Sequence, residues 1–369
     1  MDIYSWILTS AIVAGQFAKL PLSGSSGPNL LDTVVGLLCI VGTLKLKLTL
    51  KKPPLYIKAA LIFILIALLS LLITPLKLTV PEYSTSFLYT VRFFIFIFLG
   101  WLIYCGAFPD LAKNIHRILI TSGVLLSTLG IFQLLLLPDL GFLTLYGWDP
   151  HYFRTVSTFL DPNFLGSFLV LTLLLLKNKY LFALIFLALM TTFSRGAYLA
   201  FLLSFLTLSY LNKSIKLGIV TIMLFLGLLT GFFTYQQLVA APRGVDRSKS
   251  AEFRQNSWQQ GWQLFQTHPI LGVGFNAYKH ALKAYNFGDE QFLKSHGAST
   301  NDSSLLYVAA TTGTAGLICF SFLLFSLAKT SPTTFAGLLG VLAQSFFANT
   351  LFYPPLLLWL ILISLVHKK

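Results

Sequence analysis

Charge is what this sequence has least of. Only 10% of its 369 residues are Asp, Glu, Lys or Arg, against about 25% in a soluble globular chain, and the mean hydropathy is +0.78. Water cannot be its main solvent, and no separate soluble domain is visible. Cysteine is almost as scarce. Cys39, Cys105 and Cys319 all fall inside apolar runs, where a thiol behaves as a small hydrophobe, which excludes a disulfide framework and a thiolate metal site. A small-residue cleavage site after the first apolar stretch is also lacking, so that segment is expected to be retained. No internal repeat of the kind that builds inverted-repeat transporters is present.

What remains is apolar, 56% of the residues. A span needs roughly 20 apolar residues to cross about 30 Å of hydrocarbon, and such runs recur from end to end. About twelve are expected, near 4–20, 29–45, 55–75, 85–106, 117–137, 160–176, 180–194, 196–211, 216–234, 303–328, 333–350 and 353–367. The fold class is therefore all-α, a polytopic integral membrane protein forming a single transmembrane domain over 1–369. The net charge of +14 follows the turns. Lys45, Lys47, Lys51, Lys52, Lys58, Lys113, Arg117, Lys177, Lys179, Lys213, Lys216, Lys329, Lys368 and Lys369 gather at alternate ends, with Asp2 and Asp110 as acidic company. Under the positive-inside rule those turns and both termini are cytoplasmic. The basic excess then reports topology and contact with anionic membrane lipids, and nucleic acid is not an expected partner.

Two polar segments are left on the outer side, 138–159 and the large loop 235–302. Loops beyond about 12–15 residues are usually functional or disordered, and the larger one is too aromatic for disorder. Its Trp258, Trp262 and Phe265 are spaced for one helical face, so a partly helical cap is expected.

The candidate residues sit in and around these segments. Arg195 interrupts an apolar stretch in "TTFSRGAYLAF", Arg154 precedes a span in "HYFRTVSTFLDPNFLG", and Arg254 opens the cap helix. Arginine suits planar, bidentate recognition of phosphate and stays charged; the alternative for each is an interface anchor, which the break in an apolar stretch disfavours at Arg195. Arg92 lies within a span and is expected to pair with Glu82 or Asp32. Asp302, followed by Ser303, ends the loop. It is either a helix cap or a carboxylate that takes a proton from a hydroxyl. His268 precedes Pro269 and reads as a helix terminator, while His296 is a reserve base; neither has a partner at metal-ligand spacing. Neither a metal nor a cofactor is expected.

Four stretches in this order resemble the O-antigen ligase and polymerase superfamily of bacterial envelope glycan enzymes. "RTVSTFLDPNFLGSFL" is similar to its Arg-x-x-Gly-Thr-Phe-x-x-Pro-Asn signature, with Ser157 at the usual glycine and Asn163 at the asparagine. "FSRGAYLAF" matches a Ser-Arg-Gly element. "RQNSWQQGWQLFQTHPILGVGFNAY" resembles an Arg-(x)3-Trp…His-Pro-(x)2-Gly-Val-Gly loop, and "DSSLLYVAATTGTAGL" stands where the family has His-Asn-(x)9-Gly-x-x-Gly.

The resemblance implies a metal-independent glycosyltransferase in the bacterial cytoplasmic (inner) membrane. Its donor would be an undecaprenyl-diphosphate-linked glycan, and its acceptor a hydroxyl on a glycan, lipid or protein, as in lipopolysaccharide assembly. It implies catalytic roles for Arg195, Arg254 and Asp302, the last in place of the family's histidine, and substrate binding by Arg154, Asn163, Trp258 and Ser303; His296, outside the four stretches, is a further substrate-binding candidate. The change of His-Asn to Asp302-Ser303 points away from a histidine-dependent ligase, towards a polymerase or a ligase using a carboxylate. The other reading is a membrane transporter of a small anion such as bicarbonate. Transporters place polar groups near the midplane on broken helices, whereas here they gather at one surface, with Arg92 alone deeper.

Overall fold

The computed structural model describes residues 1–18, 27–47, 49–146, 148–243, 247–288, 292–293 and 296–366; the side chains of residues 243, 247–250 and 296 lie outside that description. Among the described residues the chain is helical, with no strand beyond isolated bridges such as Asp139 with Tyr152. In chain order the helices are α1 (Ile3–Ala14), α2 (Leu30–Leu46), α3 (Leu55–Leu72), α4 (Val80–Cys105), α5 (Pro109–Leu136), α6 (Pro162–Leu173) and α7 (Lys179–Thr191). They continue as α8 (Arg195–Leu211), α9 (Ile215–Tyr235), α10 (Arg247–Thr267), α11 (Tyr278–Ala284), α12 (Ser304–Ala328), α13 (Pro332–Gln344) and α14 (Pro354–Val366).

Each of the twelve expected apolar stretches contains a helix. Five of them, α3, α4, α5, α9 and α12, are long and apolar enough to cross a membrane; α1, α6, α7, α8 and α14 are apolar but shorter. At 1.5 Å per residue, the 12 residues of α6 rise about 18 Å, short of a hydrocarbon core of about 30 Å. Eight of the helices start where a short polar side chain takes the first orphan N–H groups. Asp2, Asn29, Asp161, Asn178, Ser194, Ser214, Ser303 and Ser331 all do so.

Contacts between turns divide the molecule into two ends. At one, Thr158 Oγ1 donates to Val13 O (2.6 Å), Thr74 Oγ1 to Val273 O (2.6 Å), and Tyr235 Oη to Tyr152 O (2.8 Å). At the other, Trp101 Nε1 donates to Lys51 O (2.9 Å) and Lys45 Nζ lies over the Tyr4 and Phe108 rings, 4.1 and 4.8 Å from their centroids. The lysine-bearing turns 45–52, 177–179 and 213–216 thus lie opposite the polar segments, while residues 367–369 fall outside the described residues. Between the ends the surface is apolar: Leu65, Leu72, Leu135, Met223 and Leu226 are all exposed, as a lipid-facing belt requires.

Inside that belt, α14 is buried on every side from Pro354 to Ser364, packed against α4, α5, α6 and α13. A helix apolar all round belongs in the core of a bundle, and "PPLLLWLILISLV" is such a sequence.

The opening of α12 is broken, and the break is filled by the cap. Gly313 has φ +65° inside the helix. The carbonyls of Ala310 and Thr311, which an unbroken helix would pair with the N–H groups of residues 314 and 315, instead accept from Val273 N and Gly274 N (3.0 Å each). Thr314 N and Ala315 N in turn donate to Pro269 O (2.8 Å) and Ile270 O (3.2 Å). Two helical bonds are replaced by four to the cap, so these four helix groups stay paired at a depth where each would cost several kcal/mol if left alone. Gly272 (φ +67°) makes the approach possible, since a Cβ there would stand 2.3 Å from the Thr311 carbonyl carbon. The Gly-Val-Gly turn is therefore a staple into a transmembrane helix.

Candidate functional site

The buried side of α10 is set by spacing. Arg254, Ser257, Trp258, Gln260, Gly261, Leu264 and Phe265 are its buried or half-buried positions among residues 251–267, whereas Trp262 is 51% exposed. This corrects the expected face of Trp258, Trp262 and Phe265. The i, i+3, i+4 series runs through Arg254, Ser257 and Trp258, leaving Trp262 on the outer side with its ring tilted against that of Phe265 (centroids 5.4 Å apart). Arg254 and Trp258, four apart, point at the same carbonyl run. Arg254 Nε donates to Phe347 O (3.2 Å) and Trp258 Nε1 to Phe346 O (2.8 Å), so the cap helix is strapped to the chain just beyond α13.

Beneath this strap lies a cavity of about 790 Å³. Its walls come from the segment ahead of α6 (Asp149, His151, Arg154, Asp161), the start of α6 (Asn163), the start of α8 (Ser194, Arg195, Gly196), α10 (Arg254, Gln255, Trp258) and the end of α13 (Gln344). Three arginines from three separated segments thus meet in one space. The first turns of α6 and α8 also face it, and helix N-termini carry partial positive charge.

Each arginine is held differently. Arg154 is 6% exposed, its Nε donating to Thr192 O (2.8 Å) just past the end of α7. Arg195 opens α8 behind its Ser194 cap, with its guanidinium carbon 5.6 Å from the Phe232 ring centroid. Asn163 Oδ1 accepts from Ser194 Oγ (2.7 Å), and its carbonyl accepts from Gln344 Nε2 (2.8 Å), while Ser167 Oγ donates to Gln344 Oε1 (2.5 Å). A lone glutamine in an apolar stretch is the signal that could have marked Gln344. Asp161 has no such mark, because it reads as the cap of α6, which it also is.

Asp302 stands beside the cavity, in the bend ahead of α12. Its neighbour Asn301 is fully buried, its Nδ2 donating to Ser257 O and to Tyr278 Oη (2.9 Å), and Asp302 N donates to Ser257 Oγ (3.0 Å). Gly261 allows this approach, as a Cβ there would lie 2.6 Å from Asn301 Nδ2. The N-cap of α12 is Ser303, whose Oγ accepts from Leu306 N (3.4 Å) and whose own N–H bonds Asn301 Oδ1 (2.8 Å). Of the two readings of Asp302, the cap therefore falls to its neighbour. Burial pushes the Asp302 carboxyl up to about 6, with Arg254 opposing the rise and Asp149 and Asp161 adding to it.

Five of the candidates, Arg154, Asn163, Arg195, Arg254 and Trp258, line one cavity, with Asp302 coupled to it through Arg254. Ser303 is 1% exposed and committed to its cap, away from the lining. The side chain of His296 lies outside the described residues. His268 Nε2 pairs with Tyr285 Oη (2.7 Å), outside the cavity. Arg92 pairs with Asp32, and Glu82 instead meets His280 Nδ1 (3.2 Å).

Residues 180–321 match the family model described as O-antigen ligase. That stretch, about two fifths of the chain, runs from α7 into α12 and contains Arg195, Arg254 and Asp302. No curated protein matches the chain.

Proposed function

Through residues 180–321 the chain belongs to the O-antigen ligase and polymerase family, and from that premise we propose that it transfers a glycan from an undecaprenyl-diphosphate carrier to a hydroxyl acceptor. The observation that carries this reading is the meeting of Arg154, Arg195 and Arg254 in one cavity with a carboxylate beside them. A leaving diphosphate gains negative charge as the sugar C1–O bond breaks, and guanidinium groups already in place stabilise that charge without reorganisation. The acceptor hydroxyl attacks C1 while Asp302 takes its proton, and the carrier leaves as the free polyprenyl diphosphate.

On this reading Arg195 and Arg254 clamp the diphosphate, and Arg154, Asn163 and Trp258 shape the cavity around it. The apolar belt beside the cavity is where a polyprenyl tail would lie. The protein acts as a multi-pass protein of the bacterial inner membrane, with both termini cytoplasmic. Residues 235–302 form an outer lid, and 138–159 a smaller outer loop. The positive charge at the leaving group comes from arginine, so transfer is expected to proceed without a metal ion.

The test is the arginine pair. A bidentate clamp is not reproduced by a point charge, so Arg195→Lys is expected to lose about 10²–10³ in transfer rate from a lipid-linked donor while inserting normally. Arg254→Lys also loses the bond to Phe347 O, which makes Arg195→Lys the cleaner variant. Wild-type transfer by Arg195→Lys would leave Arg195 as an interface anchor and remove the clamp.

A further inference from the structure

A second cavity, of about 240 Å³, opens at the same end and shares a wall with the arginine cavity. Trp148 lines the second and Asp149 the first; Phe164 and Asn163 divide in the same way, as do Asn349 and Ala348. At three points the partition is one backbone thick. Thr300 also lines the second cavity, two residues before Asp302.

The lining combines rings with amides. Phe164 and Tyr353 stack at 4.2 Å with 2° between planes, and Tyr89 and Trp148 contribute further rings alongside Asn276 and Asn349. Asn276 Oδ1 accepts from Tyr307 Oη (2.9 Å), which fixes the rotation of that amide. Asn349 is 9% exposed, and its Oδ1 has no hydrogen-bond partner among the described residues.

Three ligand classes can be weighed against this lining. An anion is not favoured, because the cation in the wall, Arg92, is already paired with Asp32. A lipid chain is not favoured either, since a buried amide left without a partner costs free energy. A sugar ring suits both halves of the lining: its C–H faces pack on aromatic rings, and its hydroxyls donate and accept as side-chain amides do. The volume lies below the roughly 300 Å³ at which drug-sized pockets begin, which leaves room for one ring. We infer that this second cavity binds one sugar ring of the acceptor glycan, across the thin partition from the donor diphosphate, and so presents the acceptor to Asp302. The glycan class rests on the transfer reading above.

The experiment uses the full-length protein in lipid nanodiscs, because maltoside detergents carry a sugar headgroup of their own. The probes are the methyl glycosides of glucose, galactose, mannose, rhamnose and N-acetylglucosamine, followed by saturation-transfer NMR, with farnesyl diphosphate as the donor mimic. At least one glycoside is expected to bind and to weaken about tenfold or more in Asn349→Leu, the scale of one lost hydrogen bond. Tyr89→Ala is expected to act likewise, and at 38% exposure Tyr89 can be cut back without opening the core. Glycoside binding should persist in Arg195→Ala, and with native substrates Asn349→Leu should raise the acceptor KM while leaving the donor KM unchanged. No binding by any of the five, binding indifferent to both variants, displacement by farnesyl diphosphate, or a rise in donor KM instead would each overturn the assignment. If farnesyl diphosphate binds Arg195→Ala as it binds wild type while the glycoside results stand, the diphosphate clamp falls and the sugar site survives.

Discussion

The carboxyl of Asp302 sits where burial outweighs the attraction of Arg254, and its pKa rises from 3.8 to about 6. The native state therefore holds a proton that the unfolded chain releases between those values, so this residue's contribution to stability falls as pH rises from about 4 to 6 and stays low above. A shift of about two units is worth on the order of 2–3 kcal/mol. Asp302→Asn removes that penalty and leaves the Ser303 cap intact, so its melting temperature should exceed wild type at pH 8 and show no gain at pH 4. Its transfer rate should nonetheless fall by about 10²–10⁴ if the carboxylate is the base. For the wild type, kcat/KM should climb with pH up to about 6 and level off above, because only the ionised form accepts a proton. Full activity in Asp302→Asn would end the catalytic assignment. A residue that costs stability and sits beside a cavity is a functional candidate on physical grounds.

At the scale of elements, the cap and α12 fold as one unit. Gly313 and Gly272 face each other across the helix break, each with a positive φ, and a Cβ at Gly313 would meet the Ile270 carbonyl at 2.2 Å. Gly272→Ala or Gly313→Ala is expected to cost at least about 2 kcal/mol, from backbone strain plus a clash with main chain that cannot move aside. Thermal unfolding in detergent would register this as a clear drop in Tm. Gly227→Ala, in α9 with nothing within 4 Å of the added Cβ, is the control and should be neutral or slightly stabilising. If all three behave alike, the staple carries no stability. Both halves of the staple were legible as motifs in the sequence, but their pairing was not. The "HPILGVG" turn reads as a loop because nothing local says that its N–H groups will find the carbonyls of residues 310 and 311, about forty residues later. The faces of α10 divide in the same way: Arg254 and Trp258 follow from four-residue spacing, whereas Trp262 is excluded only by what α10 packs against.

Across the whole molecule, helix positions and the separation of ends were the most legible features, because both follow from the cost of polar groups in hydrocarbon. The gathering of three arginines was expected in kind. Its completion by Asp161 and Gln344 was not, since each already has a local explanation as a cap or a stray polar residue. The separation of ends also permits a direct test of orientation. The turns at 45–52, 177–179 and 213–216 lie at one end and both cavities at the other, so under the positive-inside rule the cavities are expected to face outwards, where a lipid-linked glycan would be presented. Asn212, between α8 and α9, and Ser299, ahead of α12, are both exposed and mark opposite ends. Single cysteines there can be probed with a membrane-impermeant maleimide in a Cys319→Ala background, Cys39 and Cys105 being buried. Ser299→Cys should label in intact spheroplasts, and Asn212→Cys only after permeabilisation. The opposite pattern would turn the protein over, with the arginine cavity facing the cytoplasm, and glycan transfer at the outer face would have to be abandoned.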